Sequence, residues 1–229
     1  MANRAYLSVW TSGYSEETML DQFERLLETV PVSAKRPGFT SLVVRAVSPS
    51  EAPLVEHDLQ GVVATAADVM LLARERPNAD SAYEVEAAWD AWVWDADSTL
   101  WHRDPTPLLL TCNGEIYDDG AAARDGHFVA DIGLEHLLTG HAGLLGSRGA
   151  SADSPEHPLP EHPLEEEFVA LMARDEYRDE YQEKTRENIQ QVLAWVRAVE
   201  QALPVERYTL WSEGESNLEA RLDEILAVG

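Results

Sequence analysis

Lysine is nearly absent from this sequence, and its cations are far outnumbered by its anions. Only two of the 17 basic residues are lysines, against 42 acidic residues, and the formal net charge is -25. Proteins that bind a nucleic-acid backbone need clustered basic side chains to release its counterions, and anionic membrane surfaces attract basic segments in the same way. The composition therefore predicts that neither nucleic acid nor a membrane is the partner.

Long apolar runs and pairs of cysteines are missing as well. No stretch reaches the ~18 uninterrupted apolar residues of a transmembrane helix, and the opening MANRAYLSVW lacks the apolar core of a signal peptide. The single cysteine, Cys112, has no partner for an internal disulfide and alternates with Leu108 and Leu110. We therefore expect a cytoplasmic protein in which Cys112 is a small core side chain.

The apolar residues predict a folded domain. They make up 45% of the sequence, which is enough to build a core despite the charge. Their spacing indicates a strand, a helix, a strand, a weak strand, a helix and a long strand within the first 94 residues. That order is typical of the split βαβ arrangement of a ferredoxin-like sandwich. A related open α+β sheet with different strand pairing is the alternative.

Changes in composition divide the chain into three regions. Residues 140–163 contain four glycines, four prolines and three histidines and have little periodicity, which predicts a linker or long loop. Residues 164–229 have mostly helical apolar spacing, with a strand-like run at 207–211. We predict an α+β domain over 1–139, with a mostly antiparallel sheet covered by helices. A mostly helical C-terminal region over 164–229 is expected to pack on it.

One short run suggests an enzyme. Residues 92–100, WVWDADSTL, resemble the first motif of haloacid dehalogenase-like phosphatases, an apolar strand followed by D-x-D-x-T. The resemblance implies that Asp95 is a nucleophile and Asp97 a general acid beside a metal, and residues 108–111 resemble the family's second motif. However, no lysine lies between Thr111 and the next acidic pair, and the 11 residues between Thr99 and Thr111 are too few for a crossover. A polar hairpin turn explains the same residues.

The long strand predicts a second candidate site. Alternate positions of a strand share a face, so its acidic residues line one side. They suit either carboxylate-pair catalysis or a solvated acidic face, which is the commoner arrangement. Aromatic rings beside carboxylates are typical of sites for cationic ligands or sugars, although helices that cover a central strand explain the same tryptophans. The predicted binding residues are Glu84, Glu86, Asp90, Trp92, Trp94 and Trp101.

The histidines do not form a complete metal-binding pattern. Glu156-His157-Pro158 recurs as Glu161-His162-Pro163, but prolines favour an extended chain that spreads ligands apart. His136 and His141 do not have the spacing of an HExxH motif. We therefore predict neither a metal site nor a cofactor.

The charge and the incomplete motifs favour a protein that binds another protein. Residues 1–150 have 23 acidic and 10 basic residues (-13), and residues 151–229 have 19 and 7 (-12), so the acidity is not confined to a tail. Such a surface suits the basic cleft of a partner, as in nuclease inhibitors and DNA mimics, and bacterial immunity proteins are similar in size and acidity. We predict a non-enzymatic, inhibitor-type module with a basic protein partner. The alternative is a metal-dependent hydrolase or phosphatase that uses Asp95 and Asp97.

Overall fold

A seven-stranded antiparallel sheet is the centre of the computed structural model, which describes residues 3–95, 98, 100–140, 168 and 170–227. The spatial order is β3-β2-β4-β5-β6-β1-β7, and each neighbouring pair is antiparallel. The predicted α+β class is confirmed. The strands are β1 (Arg4–Thr11), β2 (Ser41–Ala46), β3 (Val55–Asp58), β4 (Ser81–Asp95), β5 (Leu100–Asn113), β6 (Phe128–Leu134) and β7 (Val205–Ser212).

The strand order differs from the predicted ferredoxin-like arrangement. A split βαβ unit would place β1 among the strands of the first hundred residues, whereas β1 pairs with β6 on one side and β7 on the other. The hydrophobic pattern identifies strands but not their neighbours, because pairing depends on contacts between residues far apart in sequence. Because β7 joins this sheet, both of the predicted structured regions contribute to it.

All the helices except α3 pack together on one face of the sheet, whereas Ala121 of α3 packs with Ala82 and Tyr117 in a separate small cluster. The α1 helix contacts α2 and α5, and α4 and α6 also contact α5. The spacing of Thr65 and Asp68 in the sequence predicts a capping box at the start of α2, and it is present, since their side chains and backbone amides bond reciprocally. No helix in the described part of the chain is long and apolar enough to span a bilayer. The helices are α1 (Met19–Glu28), α2 (Ala66–Ala73), α3 (Ala121–Arg124), α4 (His136–Thr139), α5 (Asp175–Ala202) and α6 (Leu218–Ala227).

The C-terminal part is only partly as predicted. The polar middle of 164–203 predicts two helices or a kink there, and the helical backbone is interrupted at Arg174, which is extended (φ -92°, ψ 124°). The α5 helix then continues unbroken for 28 residues, including the polar stretch expected to weaken it. The predicted linker at 140–163 lies outside the described residues, apart from Gly140.

The hairpin of β4 and β5 is longer than either neighbouring strand. Its ladder has 14 residue pairs, from Ala82–Asn113 to Asp95–Leu100. However, β2 accompanies β4 only as far as Glu86, and β6 accompanies β5 only over Leu109–Cys112. Residues 87–95 and 100–108 therefore extend beyond the rest of the sheet, and we call them the arm.

One edge of the arm is closed by a side-chain amide from α5. The amide N–H of Trp92 donates to Oδ1 of Asn188 (2.7 Å), and Nδ2 of Asn188 donates to the carbonyls of Trp92 (2.9 Å) and Leu137 (3.0 Å). Asn188 is buried. Its amide has both a donor and an acceptor, so it replaces the backbone of a neighbouring strand.

The other edge of the arm contains two prolines. The backbone N–H and C=O groups of Trp92 point away from β5, so those of Arg103, its partner in the ladder, point away from β4. In an antiparallel ladder this orientation repeats at every second residue. The backbone groups of Pro105 and Pro107 therefore also point away from β4. Proline has no N–H group, so two of these outward positions offer no donor to another strand.

We expect Asn188→Leu to lower the free energy of unfolding by about 3 kcal/mol, because it leaves three buried backbone groups of Trp92 and Leu137 without a partner. Gln190→Leu, on the exposed side of the same helix, should change it by less than about 0.5 kcal/mol. Urea unfolding followed by circular dichroism measures both values. Similar losses in the two variants would show that the amide contacts do not stabilise the arm.

Backbone strain is concentrated at one end of the sheet. The positive-φ residues other than glycine, within the described ranges, are Val47 (φ 69°), Asp118 (φ 46°) and Asp119 (φ 52°). Two of them are joined directly, since the amide of Asp118 donates to the carbonyl of Val47 (2.9 Å). A β-branched residue is strongly disfavoured in this region. Val47 is also 57% exposed, so its side chain gains little from burial.

Val47→Gly should raise the free energy of unfolding by about 1 kcal/mol, since relief of strain exceeds the entropic cost of glycine. Val62→Gly is the matched control, because Val62 is similarly exposed but lacks a positive φ. It should be destabilising, by roughly 0.5–1 kcal/mol. Thermal unfolding of the two variants gives the comparison, and a destabilised Val47→Gly would contradict the assignment of strain.

Candidate functional site

The face of the sheet opposite the helices is formed by every second side chain of each strand. The intervening residues, such as Leu42, Val85 and Leu110, are buried in the core, so strand alternation assigns their neighbours to the other side. We call this side the outer face. It comprises Tyr6, Ser8, Val43, Glu56, Asp58, Glu84, Glu86, Pro107, Leu109, Thr111, Val129, Asp131, Thr209 and Trp211.

The centre of the outer face is apolar and open to solvent. Leu109 is 40% exposed although β5 is the central strand of the sheet. Pro107 beside it is exposed, and Val43 and Val129 are half-buried. Antiparallel sheets commonly leave one face in water, but that face is then mostly polar. An exposed leucine and proline at its centre therefore single out this surface for interaction.

Carboxylates flank the apolar centre, and only some of them are neutralised. Nε of Arg45 lies 3.1 Å from each oxygen of Glu84, and Nε of Arg4 lies 2.6 Å from Asp131. Within the described residues, no salt bridge reaches the other three carboxylates of the face, Glu56, Asp58 and Glu86. The β3-β2-β4 side of the outer face therefore has a negative surface charge.

An aromatic pair lies at the β1–β7 side of the outer face. Tyr6 and Trp211 are directly paired across the strands, and their rings stack at 4.4 Å with an interplanar angle of 20°. Nε1 of Trp211 donates to Oγ of Ser8 (3.1 Å), and the Tyr6 hydroxyl donates to Glu213 (3.3 Å). Burial and the carboxylates of Asp131 and Glu213 raise the pKa of Tyr6. Sequence reasoning missed this aromatic pair, because its contacts join opposite ends of the chain. Trp211 and Ser8, for example, are 203 positions apart.

Two of the six predicted binding residues, Glu84 and Glu86, lie on the outer face. The third carboxylate, Asp90, accepts hydrogen bonds from the hydroxyl of Ser33 and the amide of Ala34 (3.0 Å), so it holds the loop after α1 against the arm. Its contacts are those of a structural residue.

The three predicted tryptophans lie on the arm, and two of them, Trp92 and Trp101, contact α5. Nε1 of Trp92 donates to Glu187 (2.6 Å), and Nζ of Lys184 lies 4.3 Å from the centre of the Trp92 ring. Trp94 and Trp101 meet edge to face at 5.6 Å, and Trp101 meets Tyr181 in the same way at 5.0 Å. These contacts hold α5 against the arm.

The phosphatase-like residues are not brought together. Asp95 ends β4 at the hairpin turn, where the hydroxyl of Ser98 donates to it (2.6 Å). Asp97 and Thr99 lie outside the described residues. Thr111 pairs with Glu84, which is 11 positions from Asp95 along the same strand (95 - 84), a distance of about 36 Å. The two motifs therefore occupy opposite ends of the hairpin.

A small cavity between the sheet and α5 offers little room for a ligand. It lies among Trp89, Leu108, Ile132, Val192 and Trp195 and has a volume of about 10 Å³, the size of a single water site. Among the described residues, no group of three or more histidine, cysteine, aspartate or glutamate side chains is placed to hold a metal ion. The repeated Glu-His-Pro pattern at 156–163 lies outside the described residues.

Comparison with protein-family models, curated proteins and solved structures finds no match to this chain.

Cys112 is fully buried as predicted, and burial raises the pKa of its thiol to about 12.

A neutral histidine, just before β6, holds the end of β1. The amide of Thr11 donates to Nδ1 of His127 (3.0 Å), beside the irregularity between Trp10 and Thr11. The ring of Tyr14 stacks on His127 at 3.9 Å. Burial and the nearby charge of Arg207 lower the pKa of His127 to about 4. Because Nδ1 accepts a hydrogen bond, the fold requires the unprotonated ring.

His127 should therefore make the protein less stable in mild acid. Its contribution is complete above pH ~6.5, the value of an unfolded histidine, and is lost as the pH falls towards about 4. His127→Asn keeps an acceptor near Nδ1 without the titration. We expect the stability of the wild type, relative to this variant, to fall by roughly 2–3 kcal/mol between pH 7 and pH 4. Parallel pH profiles from urea unfolding would contradict this.

Proposed function

We propose that this protein is a non-enzymatic binding module of the inhibitor or immunity type, acting in the cytoplasm, and that it holds a basic protein partner on its outer face. The observation that supports the proposal most is the exposure of Leu109 at the centre of the sheet, beside Glu86, which has no salt bridge to any described residue. An apolar centre with a charged periphery is the usual anatomy of a protein interface.

The charge distribution suits a partner rich in arginine and lysine. The net charge of -25 attracts such a partner from a distance and accelerates its association. Glu56, Asp58 and Glu86 then supply charge-assisted contacts at the edge of the contact area, while Val43 and Leu109 lose solvent at its centre. The sheet backbone beneath them is fixed by its ladders, so binding orders little of this chain.

We do not propose the phosphatase alternative as a second function. The separation of Asp95 from Thr111 along the hairpin gives no common site for a nucleophile and a phosphate-binding group.

The test compares two variants with the same change in charge. Glu56→Gln/Asp58→Asn/Glu86→Gln removes the free carboxylates of the outer face, whereas Glu176→Gln/Glu180→Gln/Glu183→Gln removes three exposed carboxylates from α5. A partner captured by the wild type is purified and titrated calorimetrically with each protein at two salt concentrations. We expect the outer-face variant to bind about tenfold more weakly, at roughly 0.5 kcal/mol per contact, and the α5 variant to change less than threefold.

Equal losses in both variants would mean that only the overall charge attracts the partner. Binding that is unchanged in the outer-face variant would place the interface elsewhere. A partner whose binding does not weaken with salt would also contradict the proposal.

A further inference from the structure

The accessible part of the outer face is a band that crosses the strands. Directly paired residues of β3, β2, β4, β5 and β6 form two parallel rows on this face, and none of them is buried. Ser41 belongs to the face by the same alternation as Val43. The first row is Asp58, Ser41, Glu86, Leu109 and Asp131, and the second is Glu56, Val43, Glu84, Thr111 and Val129.

The turn and short helix that follow β5 close one long side of this band. Tyr117 and Ala121 pack on Ala82, which continues the alternation of the outer face along β4 and is buried. Farther across the sheet, Nε1 of Trp10 donates to the carbonyl of Ala123 (3.1 Å). The third row of the outer face is therefore covered by the chain itself.

The dimensions of the band match those of a helix. Over β4 its other side ends at Ala88, which is buried and whose carbonyl accepts a hydrogen bond from the amide of Ser33 (2.7 Å). Two rows take up about 13 Å along the strands, and five strands span about 19 Å. An α-helix with its side chains is about 10–12 Å across, and about 13 residues of it cover 19 Å.

The backbone of the band is already engaged within the sheet. At these two rows, β2, β4, β5 and β6 each pair with a strand on both sides, so their N–H and C=O groups are used by the ladders. An extended segment laid on the band would lose water from its own backbone groups without gaining hydrogen bonds. A helix bonds its backbone groups internally and loses none of these bonds.

The charge of the band changes along its length. At the β3–β4 end, Glu56, Asp58 and Glu86 have no salt bridge to any described residue. Towards β5 and β6 the band becomes apolar, at Leu109 and Val129. A complementary surface therefore has basic side chains at one end and apolar side chains towards the other.

We propose that the partner occupies this band with one amphipathic α-helix of about 13 residues. Its arginines and lysines lie over the carboxylates of β3 and β4, and its apolar side chains lie over β5 and β6. One helical turn advances by 5.4 Å, close to the ~4.8 Å between strands, so successive turns place their side chains over successive strands. The existence of a basic partner rests on the proposed function, whereas the shape of the segment follows from the band.

The test uses two labelled peptides of about 16 residues with the same leucines and arginines. In the first they recur at helical spacing, and a covalent bridge on the opposite side holds the helix; in the second they alternate as in a strand. Fluorescence anisotropy measures the binding of each peptide to the full chain. We expect the helical peptide to have a dissociation constant at least fivefold lower than that of the alternating peptide.

Two leucine variants locate the binding. Leu109→Ser should weaken the helical peptide by about fivefold. Leu71→Ser is the matched control, because Leu71 is 71% exposed but lies on α2, and it should change binding less than twofold. Both side chains are exposed, so both variants should fold.

Equal binding of the two peptides, or equal effects of the two variants, would overturn the helix. A dimer of this chain that the helical peptide dissociates would place a second copy on the band and overturn it as well. A captured partner that needs the carboxylates of the outer face, but that the helical peptide does not displace, would support the proposed function and overturn the helix. Selective binding of the helical peptide at Leu109, with no salt-sensitive protein partner, would do the reverse.

Discussion

The bidentate contact between the Asn188 amide and the backbone of Trp92 is the constraint on which the arrangement of this fold depends. A hairpin of 14 pairs leaves its ends without neighbouring strands, and bare strand edges in a protein attract other strands. Asn188 closes one edge at the point where β2 has already ended. The same amide reaches the carbonyl of Leu137 and so ties α4 to the arm.

The position of α5 decides which surface is left for a partner. Its apolar residues, among them Ile189, Val192 and Val196, are buried in the core shared with the sheet. Its Lys184 and Glu187 engage Trp92 at the arm. The tryptophan-rich strand pair is consequently occupied by the chain itself. The outer face keeps its exposed leucine and its free carboxylates because the packed helices lie on the other side of the sheet.

Local features of this fold follow from the sequence, and long-range ones do not. Strand alternation places Glu84 and Glu86 together on one face, and the apolar spacing of α1 and the capping box of α2 are visible in the sequence. The position of β1 between β6 and β7 is set by the packing of residues from both ends of the chain, such as Tyr6 and Trp211. No local pattern contains that information.

In the candidate site as well, local features follow from the sequence and long-range contacts do not. The parity that places Glu86 on the outer face also groups it with Asp90, because strand alternation carries no information about what covers each part of a strand. In the structure, neighbours change along β4. The carboxylate of Asp90 meets the loop after α1, and Trp92 meets α5. Residues of the same parity therefore have different neighbours, although Glu86, Asp90 and Trp92 are all half-buried.

Because lysine is scarce, arginine makes most of the cationic contacts within this chain. Fifteen of the 17 basic residues are arginines, and their contacts use the planar guanidinium. Arg45 lies against both oxygens of Glu84, and Arg207 stacks on Trp10. These pairs show that carboxylates and indoles on this sheet are placed at distances that a guanidinium fits. In the proposed function, a partner that presents arginine to the free carboxylates of the outer face makes contacts of the same kind, whereas lysine offers only a point charge.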